Sequence, residues 1–526
     1  MSTSTPRSAE APAPRNVHQT VHQNTALRAL LAESDWTQEA LARALTRLGA
    51  ESGMRLRYDR TSIAHWLRGS RPRPAVQQLL AEAFSRRLGR RVTVPELGMG
   101  GSEPPGATRR LTPVDHLRPL TAPLVGPAPT GSPQPAPYRL DRLRPLTAPR
   151  PAHPPGRSPR GTSGPPSEGS GRADAPPSAP RSPHRRSPRA PVPSSRGGRA
   201  PGAGPAEVAS VRAQARFFTQ QVERYGGGTV RVPLAASLEG LGRSLRNGQG
   251  PYREPLLAGA ARLSYLLARV YADEERQGLA QSAFLTASEL AAAGEDADLV
   301  ALSHRALSSQ AHQLGHHRQA LALAESACRA APESATGCER AFLYAGLAVA
   351  QASTRQAVAA RRSLERAEEQ LLRAQLPDGG EGEPVGDYRE AALRFQSGRV
   401  RATLGDHEGA VTDLRASLDS RPTGEHRARA LTHAALAELL LQQRELEAAC
   451  ASWHEFLREG GQIRSGAARR AHARIGTLLR PFVREPCVRE LFAAVPGLGT
   501  EPGSSPEERP HGADGLQGNH HNSIQP

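Results

Sequence analysis

One long stretch of this chain limits the fold more than any other feature, because it cannot build a hydrophobic core. Residues 98–205 are dominated by Pro, Gly, Ser, Ala and Arg and contain few aromatic or β-branched side chains. Such a segment buries too little apolar surface to offset the entropy lost on folding, so it is predicted to be a disordered linker. Leu and Ala recur at helical spacing in residues 24–97 and 206–495. The predicted fold class is therefore all-α, with two helical domains joined by the linker and disordered ends at residues 1–23 and 496–526.

Within the linker, one short segment occurs twice. Asp115–Pro123 reads Asp-His-Leu-Arg-Pro-Leu-Thr-Ala-Pro, and Asp141–Pro149 reads Asp-Arg-Leu-Arg-Pro-Leu-Thr-Ala-Pro. Two copies of an amphipathic element indicate either a pair of docking motifs or a tandem duplication without a binding role. Duplication is the favoured interpretation. The arginine-rich remainder of the linker would add sequence-independent attraction to phosphates.

The net charge of +17 is unevenly distributed along the chain. Residues 1–100 carry +7 and residues 101–205 carry +11, whereas residues 206–526 carry −1. The basic front part predicts a polyanionic partner, and the neutral back part predicts a partner of a different kind.

All 68 basic residues are arginine. The absence of lysine excludes phosphate-binding P-loops, protein kinases and pyridoxal phosphate enzymes, each of which needs a particular lysine. The four cysteines lack metal-ligand spacing and are predicted to be free thiols. No nucleophile-and-base arrangement is present, so no catalytic residue, metal or cofactor is assigned. With neither a signal peptide nor an apolar run of about 18 residues, the chain is predicted to be cytoplasmic and not bound to a membrane.

The segment from Tyr58 to Pro74 predicts a short helix with one apolar and one polar face. It reads Tyr-Asp-Arg-Thr-Ser-Ile-Ala-His-Trp-Leu-Arg-Gly-Ser-Arg-Pro-Arg-Pro. Asp59 is suited to cap the start of the helix and Gly69 to end it. The apolar face holds Ile63, Trp66 and Leu67. The opposite face is polar and arginines follow it, an arrangement that suits the major groove of DNA.

The helices before and after this segment complete a small helical module. Asn24 begins the first helix, Thr37 caps the second, and a further helix follows Pro74. The motifs Thr-Gln-Glu-Ala-Leu-Ala from Thr37 and Ser-Ile-Ala-His-Trp-Leu-Arg-Gly from Ser62 resemble the helix-turn-helix regulators of the lambda-repressor/XRE type, in the version seen in actinomycetes. The resemblance covers residues 24–97 and implies that this domain binds double-stranded DNA.

The resemblance and the polar face together assign nine residues to DNA binding: Thr37, Gln38, Arg60, Thr61, Ser62, His65, Arg68, Arg71 and Arg73. Base contact is favoured for the polar residues at the start of the third helix, and the alternative is phosphate contact or capping of free amides. The chain departs from the family at Gly49–Tyr58, a long connection where compact members have a tight turn. This departure leaves the docking angle of the third helix open.

Two segments of the back part match each other and predict helical repeats. Leu314–Leu321 (Leu-Gly-His-His-Arg-Gln-Ala-Leu) aligns with Leu404–Val411 (Leu-Gly-Asp-His-Glu-Gly-Ala-Val), and a proline follows each. The pattern resembles the tetratricopeptide repeat, which is a helix, a Gly-Asp-type turn, a second helix that opens around an alanine, and a closing proline. Small residues are expected to let the paired helices approach closely: Ser308 or Gly398 in the first helix, and Ala320 or Ala410 in the second.

Three weaker copies are placed around Gly278, Ala357 and Ala448. The glycine run Gly226–Gly228, which follows Tyr225, is predicted to terminate a helix and not to bind a nucleotide. A Tyr-Gly-Gly-Gly run followed by such repeats again resembles actinomycete regulators, some of which control differentiation and secondary metabolism.

In a tetratricopeptide solenoid the first helix of each pair lines the concave surface, which implies a partner-binding surface in this chain. By position, that surface holds Arg305, Ser309, His312, Gln313, Phe395, Arg399 and Thr403. Arginine and amide groups of this kind suit a peptide carboxylate or an acidic side chain. An ordinary solvated helix face is the alternative interpretation, and the favoured one.

Two functions follow as hypotheses. The leading one is a sequence-specific transcriptional regulator whose helical repeats bind a protein or peptide partner or associate into a homodimer. The second is a scaffold whose N-terminal module contacts protein instead of DNA, and the long connection before the third helix favours it. An enzyme has little support.

Overall fold

The computed structural model describes residues 23–52, 54–99, 112–125, 137–147, 204–248, 250–374 and 389–494. Within these ranges every regular element is an α-helix or a short 3-10 helix, which confirms the predicted all-α class for this part of the chain. The helices form an N-terminal four-helix unit, a larger unit of stacked helix pairs, and two short segments between them. Residues 1–22 and 496–526, which are predicted to be disordered, lie outside the described residues.

The N-terminal unit contains α1 (Thr25–Glu33), α2 (Gln38–Glu51), α3 (Arg60–Leu67) and α4 (Pro74–Leu88), followed by a 3-10 turn at Pro95–Leu97. Its helices start where the sequence predicts, because the side chains of Asn24, Thr37 and Asp59 each accept a hydrogen bond from a backbone amide of the first turn. A common apolar core joins the four helices. Burying such side chains contributes about 1.5–3 kcal/mol for each Leu or Phe, and this burial holds the unit together.

The long connection between α2 and α3 folds back onto this core. Met54, Leu56 and Tyr58 pack against it, and the Tyr58 and Trp66 rings meet edge to face with their centroids 5.0 Å apart. A Cβ atom at Gly49 would lie 2.6 Å from the Leu56 side chain, so a larger residue at this position would displace Leu56. The connection therefore leaves α3 packed beside α2.

The segments between the two units contain α5 (Leu117–Val125), a 3-10 turn at Asp141–Leu143, and α6 (Arg144–Thr147). The helices of the larger unit are α7 (Pro205–Tyr225), α8 (Arg231–Asn247), α9 (Arg253–Asp273), α10 (Gln277–Ala293), α11 (Ala297–Gln313), α12 (His317–Ala330), α13 (Gly337–Ser353), α14 (Ala357–Ala374), α15 (Glu390–Leu404), α16 (His407–Asp419), α17 (His426–Gln442), α18 (Leu446–Gly460), α19 (Gly466–Leu479) and α20 (Pro486–Ala494).

Helices α9 to α18 form five consecutive pairs that share one turn geometry. The residue two positions before each second helix has a positive φ: Glu275, Gly315, Arg355, Gly405 and Arg444. The fourth residue of each second helix is an alanine with no exposed surface: Ala280, Ala320, Ala360, Ala410 and Ala449. A buried alanine leaves room for the first helix of the pair to approach closely.

The two strongly predicted pairs have the close contacts expected from their small residues. The Ser308 hydroxyl donates to the carbonyl oxygen of Ala320 at 2.7 Å. A Cβ atom at Gly398 would lie 3.1 Å from the carbonyl oxygen of Ala410.

The weaker copies are real helix pairs, but their predicted register is wrong. Ala280, Ala360 and Ala449 occupy the shared position, and not Gly278, Ala357 and Ala448. These helices are rich in alanine, so a neighbouring residue satisfies the small-residue pattern equally well in the sequence. In the corrected register most repeats are about 40 residues long, against about 34 in the tetratricopeptide repeat.

The stack of pairs closes on itself. The amide of Arg464, just before α19, donates to the carbonyl oxygen of Tyr225 at the end of α7, at 2.9 Å. Gly226 ends α7 with φ of 81°, as predicted for this glycine run, and a Cβ atom there would lie 2.7 Å from the Arg464 carbonyl oxygen. On the other side, Asp273 at the end of α9 accepts hydrogen bonds from Arg427 and Ser465. The first and last parts of the larger unit are thus in direct contact.

The prediction of a disordered linker is wrong for residues 112–125 and 137–147. Leu117 and Leu120 of the first copy are buried where α5 packs against α8 and α10, and the hydroxyl of Tyr271 on α9 donates to the Leu120 carbonyl oxygen at 2.6 Å. Leu143 of the second copy is buried in the same core. Both copies of the duplicated segment therefore dock, which contradicts the favoured interpretation of a duplication without a binding role. The other residues of 98–205 lie outside the described ranges, apart from 98, 99, 204 and 205 at its ends.

Candidate functional site

The first candidate site is the outer face of α3. Its inner side chains Ile63, Trp66 and Leu67 are buried in the core of the unit, so the opposite face points away from the protein. Of the predicted DNA-binding residues in and after this helix, most are exposed and only Ser62 is half-buried: Arg60, Thr61, His65, Arg68, Arg71 and Arg73. No described helix covers this face.

The hydroxyl of Ser62 is already used within the helix. Its oxygen donates to Asp59 Oδ1 at 2.8 Å, and the Ser62 amide donates to the same oxygen at 2.9 Å. These bonds hold the pKa of the Asp59 carboxyl below its usual value and fix the first turn of α3. Asp59 is therefore the cap of α3, and the Ser62 hydroxyl supports it, whereas no described hydrogen bond uses the side chains of Thr61 and His65.

Thr37 and Gln38 lie at the start of α2. The Thr37 hydroxyl caps the helix by accepting from the Ala40 amide at 3.1 Å. The Oε1 atom of Gln38 is buried and has no hydrogen-bond donor among the described residues. A buried amide oxygen without a donor is uncommon, and it leaves Gln38 able to accept from another group.

Ion pairing divides the arginines of the N-terminal unit into two groups. At the end of α4, Arg86, Arg90 and Arg91 are paired with carboxylates. The arginines of α2, of the connection and of the segment after α3 are exposed and have no ion pair with a described carboxylate: Arg43, Arg47, Arg55, Arg57, Arg68, Arg71 and Arg73. Arg60 itself pairs with Glu39 at 3.4 Å across an exposed gap, and such contacts are worth at most about 1 kcal/mol. Arg28 on α1 and Arg87 on α4 also have no ion pair with a described carboxylate. Most of the uncompensated positive charge therefore lies around α3.

Arg43 and Arg47 were not among the predicted site residues. They line a cleft of about 590 Å³ between α2 and the start of α3, together with Tyr58 and Arg60. Their four-residue spacing places both on the exposed face of α2, which is a signal that the sequence contained.

The second candidate site is a cavity of about 1080 Å³ inside the closed stack of helix pairs. The first helices of the five pairs line it, as predicted for a concave surface, and α7 contributes a further wall. It brings together most of the predicted partner-binding residues: Arg305, Ser309, His312, Gln313, Phe395 and Arg399. Thr403 lies elsewhere, because it is exposed outside the cavity and its hydroxyl donates to the Arg399 carbonyl oxygen.

A chain of hydrogen bonds fixes Arg399 in the cavity wall. Its Nη2 atom donates to His312 Nε2 at 3.0 Å, and His312 Nδ1 lies 3.0 Å from the Ser353 hydroxyl. That hydroxyl donates to the Val349 carbonyl oxygen, so it accepts from Nδ1 of the imidazole. Burial and the charge of Arg399 lower the pKa of His312 to about 4, which keeps the ring neutral at pH 7. Burial also lowers the pKa of Arg399, whose only described side-chain hydrogen bond is to this uncharged ring.

A second arginine lies over an aromatic ring in the same wall. The Arg305 guanidinium carbon is 3.7 Å from the centre of the Phe342 ring, and Nη1 donates to Ser309 Oγ at 2.9 Å. Stacking of this kind stabilises a cation without neutralising its charge.

The remaining lining is also basic. Eleven arginines and three acidic residues line the cavity. Each of the three carboxylates is paired with a lining arginine: Glu223 with Arg269, Asp273 with Arg427, and Glu425 with Arg421. Two cations of α7, Arg212 and Arg224, have no ion pair with a described carboxylate. Sequence reasoning missed α7, because it lies outside the repeat pattern.

Other kinds of site find no support among the described residues. No group of three or more His, Cys, Asp or Glu side chains is arranged to hold a metal ion within them. The four cysteines are free thiols there, as predicted. No helix in the described part of the chain is long and apolar enough to span a bilayer.

Comparison with known proteins adds one match. A family model described as the SP15 N-terminal domain matches residues 27–100, which correspond to the four-helix unit. No curated protein matches the chain.

Proposed function

We propose that this protein is a DNA-binding transcriptional regulator of the helix-turn-helix type, with α3 as the helix that reads the major groove. The observation that supports this most is the position of the unpaired arginines. They surround a short helix whose polar face is open, while Arg86, Arg90 and Arg91 at the end of α4 are neutralised by carboxylates. Cations that lack internal partners are available to phosphates, and the start of α3 presents Thr61 and His65 to base edges.

The larger unit would supply regulation and affinity. A single small domain with few phosphate contacts binds DNA weakly, so a second copy of the chain or an additional basic segment is needed for specific affinity. The helix pairs, proposed here to be tetratricopeptide-like, bind a protein or peptide partner or a second copy. Their shared turn and buried alanine favour that assignment, and the repeat length of about 40 residues is its main departure.

The DNA proposal is tested first by finding what the full chain binds. Purified protein is incubated with sheared genomic DNA, and the retained fragments are sequenced. Recurring sites are expected. A scaffold that does not read DNA would retain no recurring sequence, and that result would contradict the proposal.

A duplex from such a site then allows the assigned face to be tested by fluorescence anisotropy across salt concentrations. Arg60→Ala and Arg71→Ala should each weaken binding by about 1–3 kcal/mol if they read bases, or lower the salt slope by about 1 if they contact phosphates. Arg90→Ala removes the same charge from the far side of the unit, where it pairs with Glu33, and should leave binding nearly unchanged. Equal effects of all three substitutions would show that α3 is not the contact surface.

A further inference from the structure

We propose that the cavity inside the stack of helix pairs binds an extended acidic peptide segment of a partner protein. This inference rests on the proposed function in one respect: it names the kind of partner that the repeat unit takes. It is carried by the charge and the polar atoms of the cavity wall.

Charge complementarity indicates that the occupant of the cavity is negatively charged. Arginines outnumber acidic residues by eleven to three in the lining, and all three carboxylates are already in ion pairs. Two further lining arginines, Arg262 and Arg470, pair with carboxylates outside the lining. Arg212 and Arg224 on α7 and Arg399 on α15 have no described carboxylate partner. Arg399 is the most demanding of these, because it is held deep in the wall by a neutral imidazole. A buried cation without a counter-charge is costly, and a ligand carboxylate would supply that charge.

Unpaired acceptors in the wall favour an occupant that also carries N–H groups. The Oε1 atoms of Gln310 and Gln396 are buried and have no donor among the described residues, and both residues line the cavity. A peptide backbone supplies one N–H per residue to such acceptors. A nucleic-acid backbone supplies none, and a continuous polyanion would also meet Glu223, Asp273 and Glu425. These acceptors therefore favour a peptide with spaced acidic side chains over a nucleic acid.

The volume of the cavity and the chemistry of its wall are suited to a peptide. The cavity is slightly larger than the range of about 300–1,000 Å³ typical of small-molecule sites. Besides the arginines, the apolar rings of Tyr265, Phe342 and Phe395 line it. Such a wall can hold apolar side chains between the acidic ones.

The test uses the full chain and two fluorescein-labelled decapeptides, one alternating Glu with Ala and the other alternating Gln with Ala. Anisotropy should show binding of the Glu peptide, and binding of the Gln peptide at least about tenfold weaker, because charge-assisted hydrogen bonds are lost. The double variant Arg224→Gln/Arg399→Gln should weaken binding of the Glu peptide by about a hundredfold. The matched control Arg362→Gln/Arg415→Gln removes two exposed arginines on the outer helices α14 and α16, and should bind like the unchanged protein.

Since Arg399 bonds to His312, its replacement could alter the wall, so Arg212→Gln is measured as well; this residue is exposed and carries no described hydrogen bond. Arg212→Gln is expected to weaken binding of the Glu peptide by about tenfold. Equal binding of the Glu and Gln peptides, or equal losses in the cavity and control variants, would overturn the proposal. So would a single-stranded DNA of the same charge that displaces the Glu peptide and loses affinity in the same variants, since the cavity would then be a nucleic-acid site.

The outcome is separable from that of the DNA proposal. Arg60→Ala lies on α3, and it should leave peptide binding unchanged whether or not it affects DNA. Loss of DNA binding with intact peptide binding, or the reverse, identifies which of the two proposals fails.

Discussion

Tyr138 is the residue through which the segment 137–147 is expected to hold the N-terminal unit against the helix pairs. Its side chain is fully buried, and its ring stacks on His316 with centroids 5.6 Å apart and an angle of 3°. Its carbonyl oxygen accepts from Arg86 of α4 at 2.9 Å. Tyr138 thus touches α4 on one side and the turn between α11 and α12 on the other.

Replacing Tyr138 by Ala should undo this docking and leave both folded units intact. Removing a fully buried aromatic side chain costs about 3–5 kcal/mol. Because the side chain lies between two units that each have their own core, we expect that cost to weaken docking and not the folding of either unit. The Tyr138 hydroxyl is buried without a described partner, so Tyr138→Phe removes a group that costs about 1–3 kcal/mol. The Phe variant should therefore dock at least as firmly as the unchanged protein.

Hydrogen exchange measured by mass spectrometry reports this docking, because two backbone amides of the segment donate hydrogen bonds across it. The Arg139 amide donates to Gln281 of α10, and the Leu140 amide donates to Glu82 of α4. In Tyr138→Ala both amides should exchange on the order of a hundredfold faster, and in Tyr138→Phe no faster than in the unchanged protein. Amides of the first copy, residues 117–121, serve as an internal control and should not change. Unaltered protection in the Ala variant, or lost protection in the Phe variant, would refute the reasoning.

Two further predictions concern the stability of the larger unit. Burial lowers the pKa of His304 to about 4, so the unfolded chain, with a histidine pKa near 6.5, takes up the proton first. The free energy of unfolding should therefore fall by up to about 3 kcal/mol between pH 6.5 and 4, and urea titrations of His304→Gln should show a correspondingly smaller loss. At the ring closure, a Cβ atom at Gly466 would lie 2.2 Å from the Asp273 carbonyl oxygen. Gly466→Ala should therefore lower the free energy of unfolding by about 1–3 kcal/mol, measured by urea titration. Gly460 has open space around it, so Gly460→Ala should leave the free energy of unfolding unchanged or raise it slightly.

Local features of the fold were predictable because their causes are local. Asp59 caps α3, Gly69 has φ of 106° just beyond it, and Gly226 ends α7, each as the residue type requires. The inner face of α3 follows from helical spacing alone. Arg305 and Arg399 both lie on the first helix of a pair, and this position alone predicted that they line the same concave surface.

Features that depend on distant partners were not predictable. Leu120 lies in a segment whose average composition is typical of disorder, yet it is buried in the core of the larger unit, and Tyr271, far along the chain, binds its carbonyl oxygen. The contribution of α7 to the cavity depends in the same way on ring closure, which is formed by the backbone of Arg464. Neither contact leaves a periodic or compositional signal near the residues that it fixes.

The turn between α11 and α12 joins the two candidate sites of the molecule. His312, at the end of α11, bonds to Arg399 in the cavity. His316, four residues later, stacks on Tyr138 and lies 3.8 Å from Glu51 at the end of α2. One short turn thus carries both a cavity contact and a contact to the N-terminal unit.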